Sequence, residues 1–167
     1  MLGRISLLLG DYEAASNYYT TSYTLAVRNN RPKMVMLNCA ALAEVCIEQG
    51  HIDEAQGYAS RASEVATQAN DAFLGGVVYT IIGKVTLAKA RLTSDAERQR
   101  LFDEGISWLQ KSVTQLKLTQ AFKDLAQTYV CLATVSEEVG HLQEALSYWK
   151  LAYIEADKAK NIPCANI

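Results

Sequence analysis

The chain is poor in the residues that interrupt helices. Two Pro and nine Gly occur among 167 residues, which argues against a loop-rich scaffold and against an all-β fold with its many turns. A surplus of positive charge is also lacking. Sixteen Lys and Arg face eighteen Asp and Glu, for a net charge of −2 and a pI near 5.7, so there is no electrostatic footprint for nucleic acid or an anionic membrane. No C-x-x-C motif joins the four cysteines. Cys39 and Cys46 lie seven apart among apolar residues, the spacing of one buried helix face, and with Cys131 and Cys164 they read as small hydrophobes in a reducing compartment. The longest apolar stretch, Phe73 to Gly83, ends at Lys84 and is too short to cross a bilayer. Met1 to Leu9 carries one positive charge and no A-x-A-like cleavage site, so neither a membrane span nor a signal peptide is expected and the location reads as cytoplasmic. With 50% apolar and 20% charged residues, the chain has enough to bury and should fold.

What is present is repetition. Gly10-Asp11-Tyr12-Glu13-Ala14-Ala15 aligns with Gly50-His51-Ile52-Asp53-Glu54-Ala55 at an offset of 40, and Gly140-His141-Leu142-Gln143-Glu144-Ala145 lies 90 beyond the second copy. A third copy then falls at Leu101-Phe102-Asp103-Glu104-Gly105, displaced by ten inserted residues. The same offsets relate the aromatics Tyr18, Tyr58, Trp108 and Tyr148 and the small residues Ser22, Ala62, Ser112 and Ala152. Upstream of the insertion the offsets become 40, 40 and 50, which aligns Leu2, Leu42, Ile82 and Leu132, each followed by Gly3, Ala43, Gly83 or Ala133. The extra residues therefore lie between Lys84 and Arg100. They centre on 91–100, where Ser94-x-x-Glu97 reads as a capping box opening a lengthened helix.

Each unit reads as two helices. Met34, Leu37, Leu42, Val45, Cys46 and Ile47 recur near the 3.6 period, Gly50 stops that helix, and a second stripe runs through Ile52, Ala55, Tyr58, Ala59, Ala62 and Ala66. Breaks at Asn29-Asn30-Arg31-Pro32, Asn70-Asp71, Thr119-Gln120 and Asn161-Ile162-Pro163 close the units. The expected units are about 1–30, 31–70, 71–119 and 120–161 within one domain, 1–167. Ile162 to Ile167 looks like the opening of a fifth unit, and Leu2-Gly3 already sits in mid-pattern, so the chain reads as a piece of a longer array whose end faces are covered by further sequence or by self-association.

These columns resemble the tetratricopeptide repeat (TPR) in a longer form of about forty residues per unit, as in bacterial regulatory proteins. The second unit supplies Leu42, Ala43, Gly50, Ala55, Tyr58 and Ala62, and the fourth Leu132, Ala133, Gly140, Ala145, Trp149 and Ala152. The third departs from the pattern, with Arg100 in place of the turn Gly and Gly105 in place of the small Ala. The resemblance implies an all-α, right-handed superhelix of four hairpins with a concave inner groove. It also implies a non-catalytic protein or peptide scaffold, often the regulatory part of a larger bacterial regulator. The family lines its groove with first-helix positions. Carried over, these are Arg4, Glu44, Lys84 and Thr134, then Leu7, Ile47, Leu87 and Glu137, with Ala40, Thr80 and Val130 preceding. Family members that clamp a terminal carboxylate use Lys and Asn in these rows, whereas here Asn is missing and Glu44 opposes the charge. A peptide with apolar anchors and charges of both signs fits better. The alternative is a structural module that dimerises through its terminal helices and leaves the groove unused.

Other motifs carry less. His51 and His141 occupy one repeat position in different hairpins without a carboxylate or Cys cluster, so they read as helix-start residues and not as metal ligands. The aromatic column reads as packing rather than base stacking. Asp53-Glu54 and Asp103-Glu104 suit helix N-termini, Glu137-Glu138 a solvent-facing helix end, and Gly75-Gly76 is no phosphate loop. With no nucleophile and base constellation, no enzyme activity, metal or cofactor is expected.

Overall fold

The computed structural model describes residues 2–161, and within them the chain forms eight helices and no strand. They are α1 (Leu2–Leu8), α2 (Tyr12–Arg28), α3 (Pro32–Glu48), α4 (Ile52–Ala69), α5 (Ala72–Leu92), α6 (Asp95–Leu118), α7 (Phe122–Glu138) and α8 (Leu142–Lys160). The expected fifth-unit opening and Cys164 lie outside the described residues.

One local rule reverses the chain at six of the seven turns. Gly10, Gly50 and Gly140 follow α1, α3 and α7 with φ of 75°, 77° and 82°, and Asn30, Asn70 and Gln120 follow α2, α4 and α6 with φ of 50°, 47° and 52°. These are left-handed values, which glycine adopts freely and Asn tolerates. The next residue usually donates its N–H five positions back, as Asp11 does to Ser6 O (2.9 Å), His51 to Cys46 O (2.8 Å) and His141 to Ser136 O (2.8 Å). That closure satisfies carbonyls that a helix end leaves bare. Asp11 and Asp71 then cap α2 and α5, accepting from Ala14 N and Leu74 N at 3.0 and 3.1 Å. Pro32 opens α3, where its missing N–H is harmless.

The turn between α5 and α6 differs, and it corrects two expectations. Thr93 and Ser94 are both extended, and no left-handed residue is used. Arg100 lies inside α6, not at a turn. The added length is shared by both helices, α5 having 21 residues and α6 24 against 17 in α3 and α7. Their ends are rich in Ala, Lys, Arg and Glu, strong helix formers that let both helices run on. Ser94 does hold the N-cap position, but its side chain makes no capping bond. The expected partner Glu97 is instead drawn to Arg100, 3.6 Å away one turn on.

Small residues decide how near the helices come. Gly3, Ala43, Gly83 and Ala133 are all buried on first helices, and Ala15, Ala55, Gly105 and Ala145 on second helices. A Cβ on Gly83 would stand 2.9 Å from Leu109 and 3.1 Å from the Gly105 carbonyl oxygen, and one on Gly105 would stand 2.7 Å from Leu87. Gly76 is as crowded, 2.6 Å from Leu116, whereas Gly75 has open space around it. Gly105 in place of Ala thus reflects a close approach of α6 to α5, where a methyl group has no room. Of the aromatic column, Tyr148 stacks on Tyr129 at 6.1 Å and Trp108 lies 5.5 Å from Tyr79, while Tyr18 stays about half exposed.

Each helix packs on the next. In addition α3 touches α5 and α5 touches α7, whereas the even-numbered helices make no comparable contact with one another. Ala43, Ala59, Ile81 and Val85 close the layer between α3, α4 and α5, and Leu109, Leu116, Tyr129 and Leu132 that between α6 and α7. Leu74 and Val78 pack on Met36 and Val65 in a further layer. The full α5 helix exceeds the apolar stretch read from sequence, and by length and composition it is long and apolar enough to cross a membrane. In the fold that apolar surface packs against α3, α4, α6 and α7.

Replacing Gly83 or Gly105 with Ala is expected to lower stability by about 1–3 kcal/mol through overpacking against Leu109 or Leu87 and the facing backbone. Gln120→Gly should act oppositely, by ~0.5–1 kcal/mol, because it relieves a left-handed residue with a side chain. Urea midpoints with unchanged slopes would check both.

Candidate functional site

The odd-numbered helices place their exposed rows around one cavity of about 460 Å³. Its apolar lining comes from Leu7 and Leu8 of α1, Ile47 of α3, Leu87 of α5 and Val130 of α7. Glu44 and Glu48 of α3, Lys84 and Arg91 of α5, Gln127, Cys131 and Thr134 of α7, and Tyr12 of α2 complete it.

The charges here are spoken for. Lys84 donates from Nζ to Glu44 Oε1 across α5 and α3, with the two side chains only 19% and 33% exposed. Burial is the largest single influence on Lys84 and acts to lower its pKa. Glu44, Glu48 and Cys131 together outweigh it, so the ammonium is held above the ordinary lysine range. Arg91 makes a two-pronged contact with Glu138 of α7, Nε to Oε2 at 3.1 Å and Nη2 to Oε1 at 2.8 Å. Burial pushes the Cys131 thiol upward against the pull of Lys84, which leaves it a poor nucleophile. At the other end of α7, burial also raises the Asp124 carboxyl, with Lys123 and Arg4 opposing.

Seven of the eleven residues singled out from sequence therefore meet at this cavity: Leu7, Glu44, Ile47, Lys84, Leu87, Val130 and Thr134. The other four, Arg4, Ala40, Thr80 and Glu137, do not line it. Arg4 reaches across to α7, its Nη2 donating to Gln127 Oε1 at 3.4 Å, a bridge between the first and fourth hairpins. Glu137 accepts from Trp149 Nε1 at 2.8 Å. Thr80 lies deeper, its hydroxyl 2.7 Å from Ser112 Oγ and 3.0 Å from Thr128 Oγ1, with Ser112 also donating to Gly76 O at 2.8 Å. That hydroxyl chain ties α5, α6 and α7, and of its members Thr80 lines a small recess of about 60 Å³ with Ala40 and Asp124. Of the lining residues missed, three continue the helical rows already chosen: Glu48 lies four past Glu44, Arg91 seven past Lys84, and Gln127 seven before Thr134. Tyr12, from a second helix, obeys no such rule.

His51 and His141 stand at the N-caps of α4 and α8 without bonding the helix N–H groups, exposed and 3.9 and 3.7 Å from Glu54 and Glu144. The Cys39 and Cys46 thiols are free and buried on α3, and burial raises both pKa values. Among the described residues no group of three or more His, Cys, Asp or Glu is gathered as a metal ion would need.

No model of a known protein family matches the chain, and no curated protein matches it.

Lys84→Met leaves the Glu44 carboxylate without its partner in a half-buried site and should cost about 1–3 kcal/mol at neutral pH. Because the folded-state pKa of Lys84 is raised, that contribution is whole below the ordinary lysine range and fades as pH rises through the folded value. The wild-type and variant unfolding curves should therefore converge only at strongly alkaline pH. The Lys84→Met/Glu44→Leu double variant should recover most of the loss.

Proposed function

We propose that the chain is a TPR-like solenoid whose odd-numbered helices line the concave side, and that this side binds a protein or peptide segment without catalysis. The inner row of α3, α5 and α7 contacts supports the curvature, since helices touching on one side only bend a stack toward that side. The observation that carries the binding reading is the cavity itself. Leu7, Ile47 and Val130 offer apolar surface to solvent above the buried Leu87, and the volume matches one or two bulky side chains.

Charge compensation narrows the ligand. Lys84 and Arg91 are already engaged by Glu44 and Glu138, so a carboxylate would have to break an internal ion pair before gaining one. An apolar anchor side chain needs no such exchange. Flanking charges of either sign can still be read by the exposed edges of the two pairs, which fixes register more than affinity. The setting that goes with this reading is cytoplasmic, as the peptide-responsive part of a larger regulator.

The experiment is selection of phage-displayed random peptides on the wild-type chain and on Thr134→Trp, whose exposed position on the cavity rim places an indole over the floor. Selected peptides should carry a bulky apolar residue without an acidic cluster and should bind the variant at least about tenfold more weakly, a difference of ~1.4 kcal/mol. Unchanged helicity would show that the fold survives. Peptides that bind both proteins equally would remove the groove from the function.

A further inference from the structure

The two ion pairs at the cavity of α1, α3, α5 and α7 leave a carboxylate over. Glu44 and Glu48 of α3 line it with Lys84 and Arg91 of α5, and Glu138 of α7 holds Arg91. Three carboxylates thus stand against two cations. Lys84 takes Glu44 and Arg91 takes Glu138, while among the described residues Glu48 joins no ion pair. Of the groups that hold the Lys84 charge in place, Glu48 acts most weakly.

Helix ends add to the surplus. Glu48 is the last residue of α3, α7 closes on Glu137 and Glu138, and neither helix has a basic residue in its last turn. A carboxylate there reinforces the partial negative charge of the bare carbonyls, against the usual preference. The second helices α2, α6 and α8 follow that preference with Arg28, Lys117 and the pair Lys158 and Lys160. The acid that ends α3 is therefore unfavourable within the chain, and a cation brought from outside relieves it.

An aromatic ring belongs to the same surface. Tyr12, the first residue of α2, is half-buried and lines the cavity with Leu7 and Ile47. Carboxylate and ring face both attract an ammonium or guanidinium group. The carbons of Leu7 and Ile47 suit the aliphatic stem that carries such a group. With about 460 Å³ at hand, one bulky anchor and one long stem fit together. An anion has no equivalent opening, because Lys84 and Arg91 are engaged.

We propose that the protein segment bound at this cavity carries a lysine or arginine within about one helical turn of its apolar anchor, the cation seated at Glu48 and Tyr12. This charge preference rests on the peptide-binding reading of the cavity and adds the sign of the partner's charge. The anchor supplies most of the affinity, and the base selects among anchors.

Peptides selected on the wild-type chain test it. Each is resynthesised with its basic residue changed to glutamine, and both forms are titrated by fluorescence anisotropy against wild type, Glu48→Gln and Glu48→Lys. Wild type should bind the parent form about tenfold more tightly than the glutamine form, the scale of one charge-assisted contact. Glu48→Gln should bind the two forms alike at the weaker level, with helicity unchanged because Glu48 is exposed. Glu48→Lys should prefer the glutamine form. Selected peptides without a basic residue near the anchor, equal binding of both forms by wild type, or an equal loss of both in Glu48→Gln each overturn the charge preference and leave the anchor reading in place. A library that yields no peptide on wild type removes the anchor reading, and the charge preference falls with it.

Discussion

Close approach of helix backbones is the constraint on which the rest of this structure depends. At Gly83 and Gly105 the α5 and α6 backbones come near enough that a single methyl group on either would meet Leu109, Leu87 or a carbonyl oxygen. The same two columns hold Ala or Gly in every other hairpin, buried each time. Dispersion attraction falls steeply with distance, so this spacing sets how many atoms of the neighbouring leucines and valines reach contact. It also fixes the angle at which each helix presents its outward row. The cavity lined by α1, α3, α5 and α7 is a consequence of those angles.

Turn chemistry cooperates with that packing. A left-handed residue after α1, α2, α3, α4, α6 and α7 reverses the chain within a few positions and leaves little slack for a helix to slide. Where the rule lapses, between α5 and α6, both helices lengthen and the glycine contacts are densest. Register there is held by side chains: three glycine contacts on the apolar side and the Thr80, Ser112 and Thr128 hydroxyls on the polar one. Buried hydroxyls that are satisfied only in one alignment penalise every other alignment.

The cavity shows how burial and charge are reconciled where packing leaves a hollow. Burial works against the Lys84 charge, and the neighbouring Glu44, with Cys131 and Glu48, more than offsets it. The result is a floor of apolar carbon between two ion pairs, neither of which has a free partner to offer an anion. Such a surface favours shape and apolar contact over charge, consistent with the anchor proposed for its ligand. The stack ends differ in kind. Their exposed apolar side chains Leu2, Ile5 and Trp149 are the repeat equivalents of residues that are buried elsewhere in the chain.

Periodicity in the sequence determined the helices, their order, the small-residue columns and the glycine turns, because each rests on local backbone preference or on a single side chain's bulk. It carried seven of the cavity residues on the same grounds, since a helical row can be extended from one member. Tertiary structure decided what spacing leaves free. It moved the reversal within the third unit to Thr93 and Ser94, left the Ser94 hydroxyl out of the cap, and joined Arg4 to Gln127 across 123 positions. It sent Thr80 inward to its hydroxyl partners and Glu137 to Trp149. Each of those outcomes turned on which of several possible partners stood nearest in space, and nearness between separate helices is a property of the whole packed arrangement.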